Sequence, residues 1–374
     1  MFKDWLKNYV HPVAVFSGGM IGVGFLSLPY IAEKTGIWVM AVYFLVLTSL
    51  IIAINLMFCQ ISLKTPDFKR LPGFVDYHLG KWAKIVMMLS IVLGILGVLL
   101  IYLIIGGQFL NSALGPIFSG NLLTYVLIYF SIASVIVYFD IKVIKNAELW
   151  ILLFLFLSLL LVFVEGFSKI KLSNIFIPDF KLQLSNLFLP YGAILFSLWG
   201  VGLIPEVEEM LVGRKILLKK VVTISTIIVS IFYFLFVLLI MGITGSQTGE
   251  SALPELKNFL PPSVVFISLI AGVAATIGAF ITQAIILKKT LMFDLKIKHW
   301  HAFVITCFIP LIFLLLGLDS FIPLVSLVGG VLAGVDGILI LMVYRKIGGK
   351  SIFIFPLFLV FILGTIYEVI YFIK

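Results

Sequence analysis

The strongest constraint on this chain is a series of long apolar stretches that recurs from one end to the other. A helix needs about 20 apolar residues to cross the roughly 30 Å hydrocarbon core of a bilayer. The pattern therefore predicts an all-α polytopic membrane protein with eleven transmembrane helices, called the first to the eleventh span. Their expected ranges are 12–32, 37–63, 83–113, 121–139, 143–166, 187–211, 218–244, 263–291, 301–318, 321–344 and 351–372.

Charge supports a single membrane domain that covers residues 1–374. Only 11% of the residues are charged, against about 25% in soluble proteins. The net charge of +9 does not predict a nucleic-acid partner, because the basic residues lie in short loops between apolar stretches. The expected partner is the lipid bilayer. Histidine and cysteine do not cluster inside the spans, so we expect no metal, no cofactor and no catalytic site.

The basic residues also predict an orientation. Cytoplasmic loops of membrane proteins carry an excess of lysine and arginine. With the N-terminus in the cytoplasm, 20 of the 26 basic residues fall inside and 6 outside. This predicts a multi-pass protein of the cell membrane whose C-terminus is extracytoplasmic. The outside segment 245–262 is polar and is expected to form a lid or a flexible loop, and the inside loop 64–82 to carry an amphipathic segment.

Four glycines interrupt the middle of the first span, at positions 18, 19, 22 and 24. Each costs a helix about 1 kcal/mol relative to alanine, so we expect an unwound segment there. Inside a membrane, unwound backbone is tolerated only where it is buried in protein or lines a cavity. Its N–H and C=O groups are then available to a ligand. The alternative is that the glycines only let two helices pack closely.

The sixth span is interrupted in the same way, by Gly200, Gly202 and Pro205. Spans one to five (12–166) and six to ten (187–344) have similar lengths, and an odd number of crossings inverts the second unit relative to the first. We therefore expect a five-plus-five inverted repeat with broken helices 1 and 6, plus one extra C-terminal helix at 351–372. Broken helices at corresponding positions of inverted halves point to the binding site of a transporter.

These two segments resemble a known family. Residues 19–30, GMIGVGFLSLPY, resemble the first-helix signature of amino acid permeases in the amino acid–polyamine–organocation superfamily, nearest to the amino acid/auxin and aromatic amino acid permeases. Residues 196–200, FSLWG, followed by Pro205 and Glu206, resemble the sixth helix of the same group. The resemblance implies a LeuT-like fold and secondary transport of a neutral, aromatic or large apolar amino acid by alternating access. The alternative is a non-transporting amino-acid sensor of the same fold, like a germinant-receptor subunit.

The substrate would bind to backbone groups. The amides of Val23, Gly24 and Phe25, at the start of a new half-helix, are suited to a carboxylate, and carbonyls at the ends of the preceding half-helices to an ammonium group. Trp199 is expected either to close over the substrate or to pack, and Thr276 either to face it or to bond back to its own helix. The full set of expected substrate-binding residues is Ser17, Gly18, Ile21, Gly22, Val23, Gly24, Phe25, Phe196, Ser197, Trp199, Gly200 and Thr276.

Acidic residues inside spans are costly and point to function. Asp336 and Glu206 are the expected coupling or gating groups, and Gln108 is a candidate polar gate residue. Glu208 and Glu209 are expected to pair with nearby Arg214 or Lys215, and Glu368 to lie at the membrane interface.

The eighth span bears on the coupling ion. Sodium-dependent relatives place two adjacent hydroxyl residues there, whereas this chain has Ala274 and Ala275 at the aligned positions. Sodium, a hard cation, needs oxygen ligands, so coupling to a proton is favoured over sodium, with no coupling at all as the remaining alternative. A one-residue shift of the alignment would bring Thr276 into play.

Overall fold

The computed structural model describes residues 9–66, 69–139, 144–176, 183, 186–211 and 214–373, and helices occupy every expected span range within them. The unbroken spans are helices Ile37–Lys64, Lys81–Phe118, Leu122–Tyr138, Ile144–Phe167, Leu217–Thr244, Pro262–Phe293, His299–Leu315 and Ser351–Ile373. A helix at Leu71–Leu79 lies in the loop expected to carry an amphipathic segment, and it buries Leu71, Phe74 and Val75.

By length and apolarity, eight helices of the described chain qualify as membrane spans, or nine when a bent pair in the first span is taken as one. The two helices in the fourth and ninth ranges, Leu122–Tyr138 and His299–Leu315, are apolar but only 17 residues long. The protein is therefore all-helical and polytopic in its described part.

The first span is broken at the glycine cluster. The first part is an α-helix, His11–Met20. A 3-10 helix follows at Val23–Ser27, and an α-helix resumes at Leu28–Thr35. The two halves are bent by 52°. Gly22, between them, has extended backbone with φ −104° and ψ −169°. One helix ends before Gly22 and the next begins after it, so the unwinding expected from the glycines is present.

The sixth and tenth spans are also irregular. The sixth consists of Leu189–Leu198, a 3-10 turn at Val201–Leu203, and Ile204–Met210, with Trp199 extended at the interruption. The tenth consists of helices Phe321–Leu327 and Ala333–Lys346 joined by a π-helical segment, Val328–Leu332. Segments of π-helix are rare and are frequent at functional sites.

Four pairs of corresponding spans in the two expected repeats are in contact. The first span contacts the sixth, the second the seventh, the third the eighth, and the fourth the ninth. This arrangement brings the two broken spans together inside the bundle, where Val23, Phe25, Leu198 and Val201 are all buried.

The segment 245–262 is folded rather than open. It contains 3-10 helices at Gly245–Gln247 and Pro254–Asn258. Ala252, Leu253 and Leu256 are fully buried. The expected flexible loop is thus a packed segment, because its apolar side chains turn towards the bundle.

The expectation that Glu368 lies at the interface is wrong. The side chain is only 1% exposed. Most of the eleventh span presents apolar residues outward, but Phe361, Thr365 and Glu368 follow the i, i+4, i+7 spacing of one helix face, and this face packs against the tenth span. The burial of this carboxyl is determined by the helix face on which it lies and not by its distance from the end of the helix.

Candidate functional site

Three glycines let the two broken spans approach each other closely. A Cβ atom on Gly19 would lie 2.7 Å from Leu203 Cδ1, and one on Gly200 would lie 2.9 Å from Met20 Cγ. A Cβ atom on Gly24 would overlap the ring of Phe196. For these three glycines the close-packing interpretation holds. A Cβ atom on a fourth glycine, Gly18, would lie 3.2 Å from Leu152 Cδ2 of the fifth span.

Gly22 is different, because its surroundings are less crowded. A Cβ atom there would meet a single neighbour within 4 Å, the hydroxyl of Tyr102 at 3.7 Å. Gly22 directly precedes the 3-10 helix Val23–Ser27, and no side chain caps that helix. The first N–H groups of a helix have no partner within it. In a 3-10 helix the third N–H, here that of Phe25, bonds to the carbonyl three residues earlier, that of Gly22. Of the three amides expected from the sequence, those of Val23 and Gly24 are therefore the ones that a carboxylate beside Gly22 can reach.

Tyr233 of the seventh span connects the two breaks. Its hydroxyl lies 3.0 Å from the carbonyl oxygen of Met20 and 3.3 Å from that of Ser197. A phenol has one donor proton, so the two carbonyls share it. The Met20 carbonyl also accepts from the N–H of Gly22 at 2.9 Å, whereas that of Ser197 keeps a lone pair for a second donor. The fully buried ring stacks on Phe25 with centroids 5.2 Å apart and planes 7° apart.

The sequence analysis missed Tyr233, although a signal was present. Thr226, Ser230 and Tyr233 follow one another at helical spacing in an otherwise apolar span. In the structure Ser230 contacts Thr48 of the second span at 2.6 Å, and Asn55 of the same span donates to Thr226 at 3.4 Å. This polar face therefore holds the seventh span against the second and leads to the two breaks.

Aromatic side chains surround the breaks. Phe25 also packs edge-on against Phe236, with centroids 4.8 Å apart. Phe196 and Trp199 are half-buried. The Trp199 ring lies edge-on to Phe361 of the eleventh span, with ring centroids 6.3 Å apart. This is a packing contact, as expected if Trp199 packs and does not close over the substrate. The surroundings of Gly22 are suited to an apolar or aromatic side chain.

Of two expected site residues with a hydroxyl, one bonds within its own helix and the other lines a separate cavity. The fully buried Thr276 donates to the carbonyl of Val273, 2.9 Å away, and so bonds back to its own helix. Ser17 is half-buried and its hydroxyl has no hydrogen-bond partner among the described residues. It lines a cavity of about 740 Å³ between the first and seventh spans, together with Val13, Lys220 and Ile224.

The charged and polar candidates are spread over three places. Asp336 is 8% exposed, and its Oδ1 atom has no hydrogen-bond partner in the described chain. It lies one turn after Leu332, whose carbonyl accepts from Ser90 of the third span at 3.2 Å. Glu206 is exposed, and Gln108 is half-buried in the third span. The structure does not bring these groups into one cluster with the breaks.

Glu208 forms the pair expected from its neighbours. Its Oε1 atom lies 2.8 Å from Nζ of Lys215. Its Oε2 atom accepts from the hydroxyl of Ser62 in the second span, a partner that the sequence did not indicate. Because Glu208 is 3% exposed, this carboxylate fastens the end of the sixth span to the second.

Comparisons with known proteins agree with this architecture. A family described as transmembrane amino acid transporter protein matches residues 8–367. No curated protein matches the sequence. The crystal structure of MhsT in complex with L-phenylalanine is similar over 97% of this chain and 97% of that chain, with a TM-score of 0.58 and 16% identity. The inward-facing conformation of Mhp1 is similar over 96% of this chain and 88% of that chain, with a TM-score of 0.66 and 13% identity.

Proposed function

The chain belongs to the transmembrane amino acid transporter protein family, and we propose that it carries a neutral amino acid across the membrane by alternating access. The resemblance to the amino acid–polyamine–organocation superfamily inferred from the first and sixth spans is confirmed by the family match. The protein is therefore a multi-pass membrane transporter and not an enzyme. The cargo, its binding residues and the coupling ion are the proposed part.

The observation that carries the proposal is the uncapped helix start at Gly22, between two broken spans, where an added Cβ atom would have a single neighbour within 4 Å. The amides of Val23 and Gly24, which have no partner within the 3-10 helix, are suited to the carboxylate of an amino acid. The carbonyl of Ser197, with a lone pair beyond the Tyr233 bond, is suited to its ammonium group. In this scheme both charges of the amino acid are bound without a charged side chain.

We propose a large apolar or aromatic side chain on the substrate. Residues 17–28 and 189–204 contain no lysine, arginine, aspartate or glutamate. The rings of Phe25, Tyr102, Phe196 and Trp199 lie in or beside the two breaks. An acidic or basic substrate side chain would be buried here without a partner, which is costly.

The proposed coupling ion is the proton, with Asp336 and Glu206 as carriers and Gln108 as a gate residue. Support comes from the eighth span, where Ala274 and Ala275 offer no side-chain oxygen and Thr276 donates within its own helix. We further propose the inverted repeat of 12–166 and 187–344 with an extra helix, and a cytoplasmic N-terminus. Contacts between four pairs of corresponding spans support the repeat.

The test begins with purified protein and a thermal-shift panel of the twenty amino acids. We expect a large apolar or aromatic amino acid to raise the melting temperature most. A panel in which glutamate or arginine stabilises best would overturn the proposed substrate class. Counterflow of the best ligand in proteoliposomes then separates a transporter from a sensor, which binds without moving its ligand.

Coupling is tested in the same proteoliposomes. Uptake should survive the replacement of sodium by choline and should accelerate under an inward proton gradient. Strict sodium dependence that disappears in Thr276→Val would instead place the sodium ligands one residue later in the eighth span.

A further inference from the structure

A buried carboxyl on the last helix is not used by the site described above. Glu368 of the eleventh span is 1% exposed. Its Oε1 atom accepts a hydrogen bond from the backbone N–H of Gly192 at 3.1 Å. Its Oε2 atom is buried and has no hydrogen-bond partner within the described chain. One oxygen of this carboxyl thus binds the sixth span, and the other makes no hydrogen bond among the described residues.

Gly192 is the fourth residue of helix Leu189–Leu198, the outer half of the sixth span. The first four N–H groups of a helix lack partners inside it, and here proline occupies the second position. The N–H of Tyr191 donates to Phe188, and that of Gly192 is satisfied by Glu368 from another span. Glu368 therefore caps the outer half of the sixth span in trans, where the helix dipole favours a negative charge.

The chain leaves room for this carboxyl at two glycines. A Cβ atom on Gly192 would lie 2.6 Å from Glu368 Oε1, and one on Gly330 would overlap Glu368 Cγ. Gly330 belongs to the π-helical segment of the tenth span, and its carbonyl accepts from Thr365 at 3.2 Å. The carboxyl therefore lies where the sixth, tenth and eleventh spans meet, next to the irregular backbone of the tenth.

The groups that face Glu368 are tyrosines. They are Tyr191 on the sixth span, Tyr43 on the second, and Tyr367 and Tyr371 on its own helix. Among the described residues, the tenth span adds no ionisable group there, and no lysine or arginine opposes the carboxyl. A buried carboxylate without a cation is costly. A proton on Oε2 removes that cost, whereas the helix N-terminus and the Gly192 N–H favour the charged form.

We propose that Glu368 is a proton-binding site that controls how tightly the outer half of the sixth span is held to the tenth and eleventh spans. The ionised carboxylate binds the N–H of Gly192 and the helix dipole strongly, and the protonated acid binds them weakly. The same helix ends at Phe196 to Trp199, so proton binding reaches the substrate site through one rigid element. This link to transport rests on the proposed function, but the proton site itself does not.

The first experiment needs no substrate. Infrared difference spectra of purified protein between about pH 5 and about pH 8 should contain a C=O stretching band from a buried carboxylic acid. Glu368→Gln keeps a carbonyl that accepts from Gly192, so the fold is preserved, but the part of the band that Glu368 contributes should be lost. Glu165→Gln, which removes an exposed carboxyl of the fifth span, is the matched control and should keep it. An unchanged spectrum in Glu368→Gln would overturn the proposal.

The second experiment links the proton to the substrate site. The affinity of wild-type protein for its best amino acid should change by about tenfold across that pH range if binding shifts the proton affinity by about one unit. Glu368→Gln should lose the part of this pH dependence that Glu368 contributes. Wild-type pH dependence in this variant would overturn the link. A wild type that binds no amino acid but shows the Glu368 band would instead contradict the proposed function alone.

Glu368→Asp is the second variant if the glutamine variant does not fold. It keeps an ionisable group but shortens its reach to Gly192. The infrared band should then move and not vanish, and the pH profile of amino acid binding should shift. An aspartate variant with the wild-type band and the wild-type pH profile would contradict the proposal.

Discussion

The hydroxyl of Tyr233 lies 3.0 Å from the carbonyl oxygen of Met20, the last residue of the first half of the broken first span. The same hydroxyl lies 3.3 Å from the carbonyl of Ser197. A single phenol in the seventh span therefore fixes the ends of both broken helices. Its position fixes the carbonyl of Ser197, which we propose as an acceptor for the substrate ammonium group.

Tyr233→Phe is expected to weaken both the fold and amino acid binding. The ring still stacks on Phe25, but two buried carbonyls lose their shared donor, which costs about 1–3 kcal/mol. Melting temperature and ligand affinity should both fall. Tyr125→Phe is the matched control, since it removes a tyrosine–carbonyl bond of 2.9 Å to Ser119, far along the third-to-fourth connection. It should lower stability but leave affinity unchanged; equal affinities of Tyr233→Phe and wild type would contradict the assigned role.

Gly22→Ala is expected to reduce amino acid binding at least about tenfold, or about 1.4 kcal/mol. The new methyl fits the fold, because its nearest neighbour lies 3.7 Å away, and it fills the space that the substrate needs. Gly202→Ala at the other break is the control: nothing lies within 4 Å of its Cβ. Measured by titration of the best amino acid, it should bind like wild type. Gly24→Val tests packing as well, since its side chain overlaps Phe196, and therefore discriminates less.

The positions of the spans and of the two breaks were predictable because their causes are local. An apolar run of about 20 residues identifies a span, and the glycines around Gly22 and Gly200 lower the stability of a helix at those positions. The fourth and ninth helices have the expected positions, but at 17 residues each they are short of the usual spanning length.

The parts that were not predictable depend on helix faces and on partners distant in sequence. Glu368 was assigned to the interface from its distance to the helix end, but its face packs against Gly330 and Gly192. Tyr233 meets Met20 across 213 residues of sequence. The sequence also did not decide whether these glycines expose backbone to a ligand or let helices pack closely. Only the packing distances distinguish Gly22 from Gly19, Gly24 and Gly200.

The packed segment 245–262 should respond to pH. Burial raises the pKa of Glu255 above the usual value of a glutamate. Because the folded state then binds the proton more tightly than the unfolded segment, the packing gains stability as pH falls through the raised pKa and loses it as pH rises. Amide hydrogen exchange of residues 252–260, corrected for intrinsic rates, should be slower at about pH 5 than at about pH 7. Glu255→Gln should be slow at both; a variant that keeps the wild-type pH dependence would contradict this assignment.

The pair of Glu208 and Lys215 should contribute to stability at the end of the sixth span. The carboxylate is 4% exposed and the lysine 49% exposed, with 2.8 Å between Oε1 and Nζ. An exposed ion pair contributes about 0.2–1 kcal/mol, and the half-exposed lysine keeps the expected coupling near that range even though Glu208 is buried. A double-mutant cycle of Glu208→Gln and Lys215→Met, measured by unfolding in detergent, isolates this term. Lys219→Met replaces the lysine in the cycle as a control, because Lys219 is exposed and lies further along the chain. Its coupling to Glu208 should be close to zero, and a coupling as large as that of Lys215 would show that the general charge of this end, and not the contact, stabilises the sixth span.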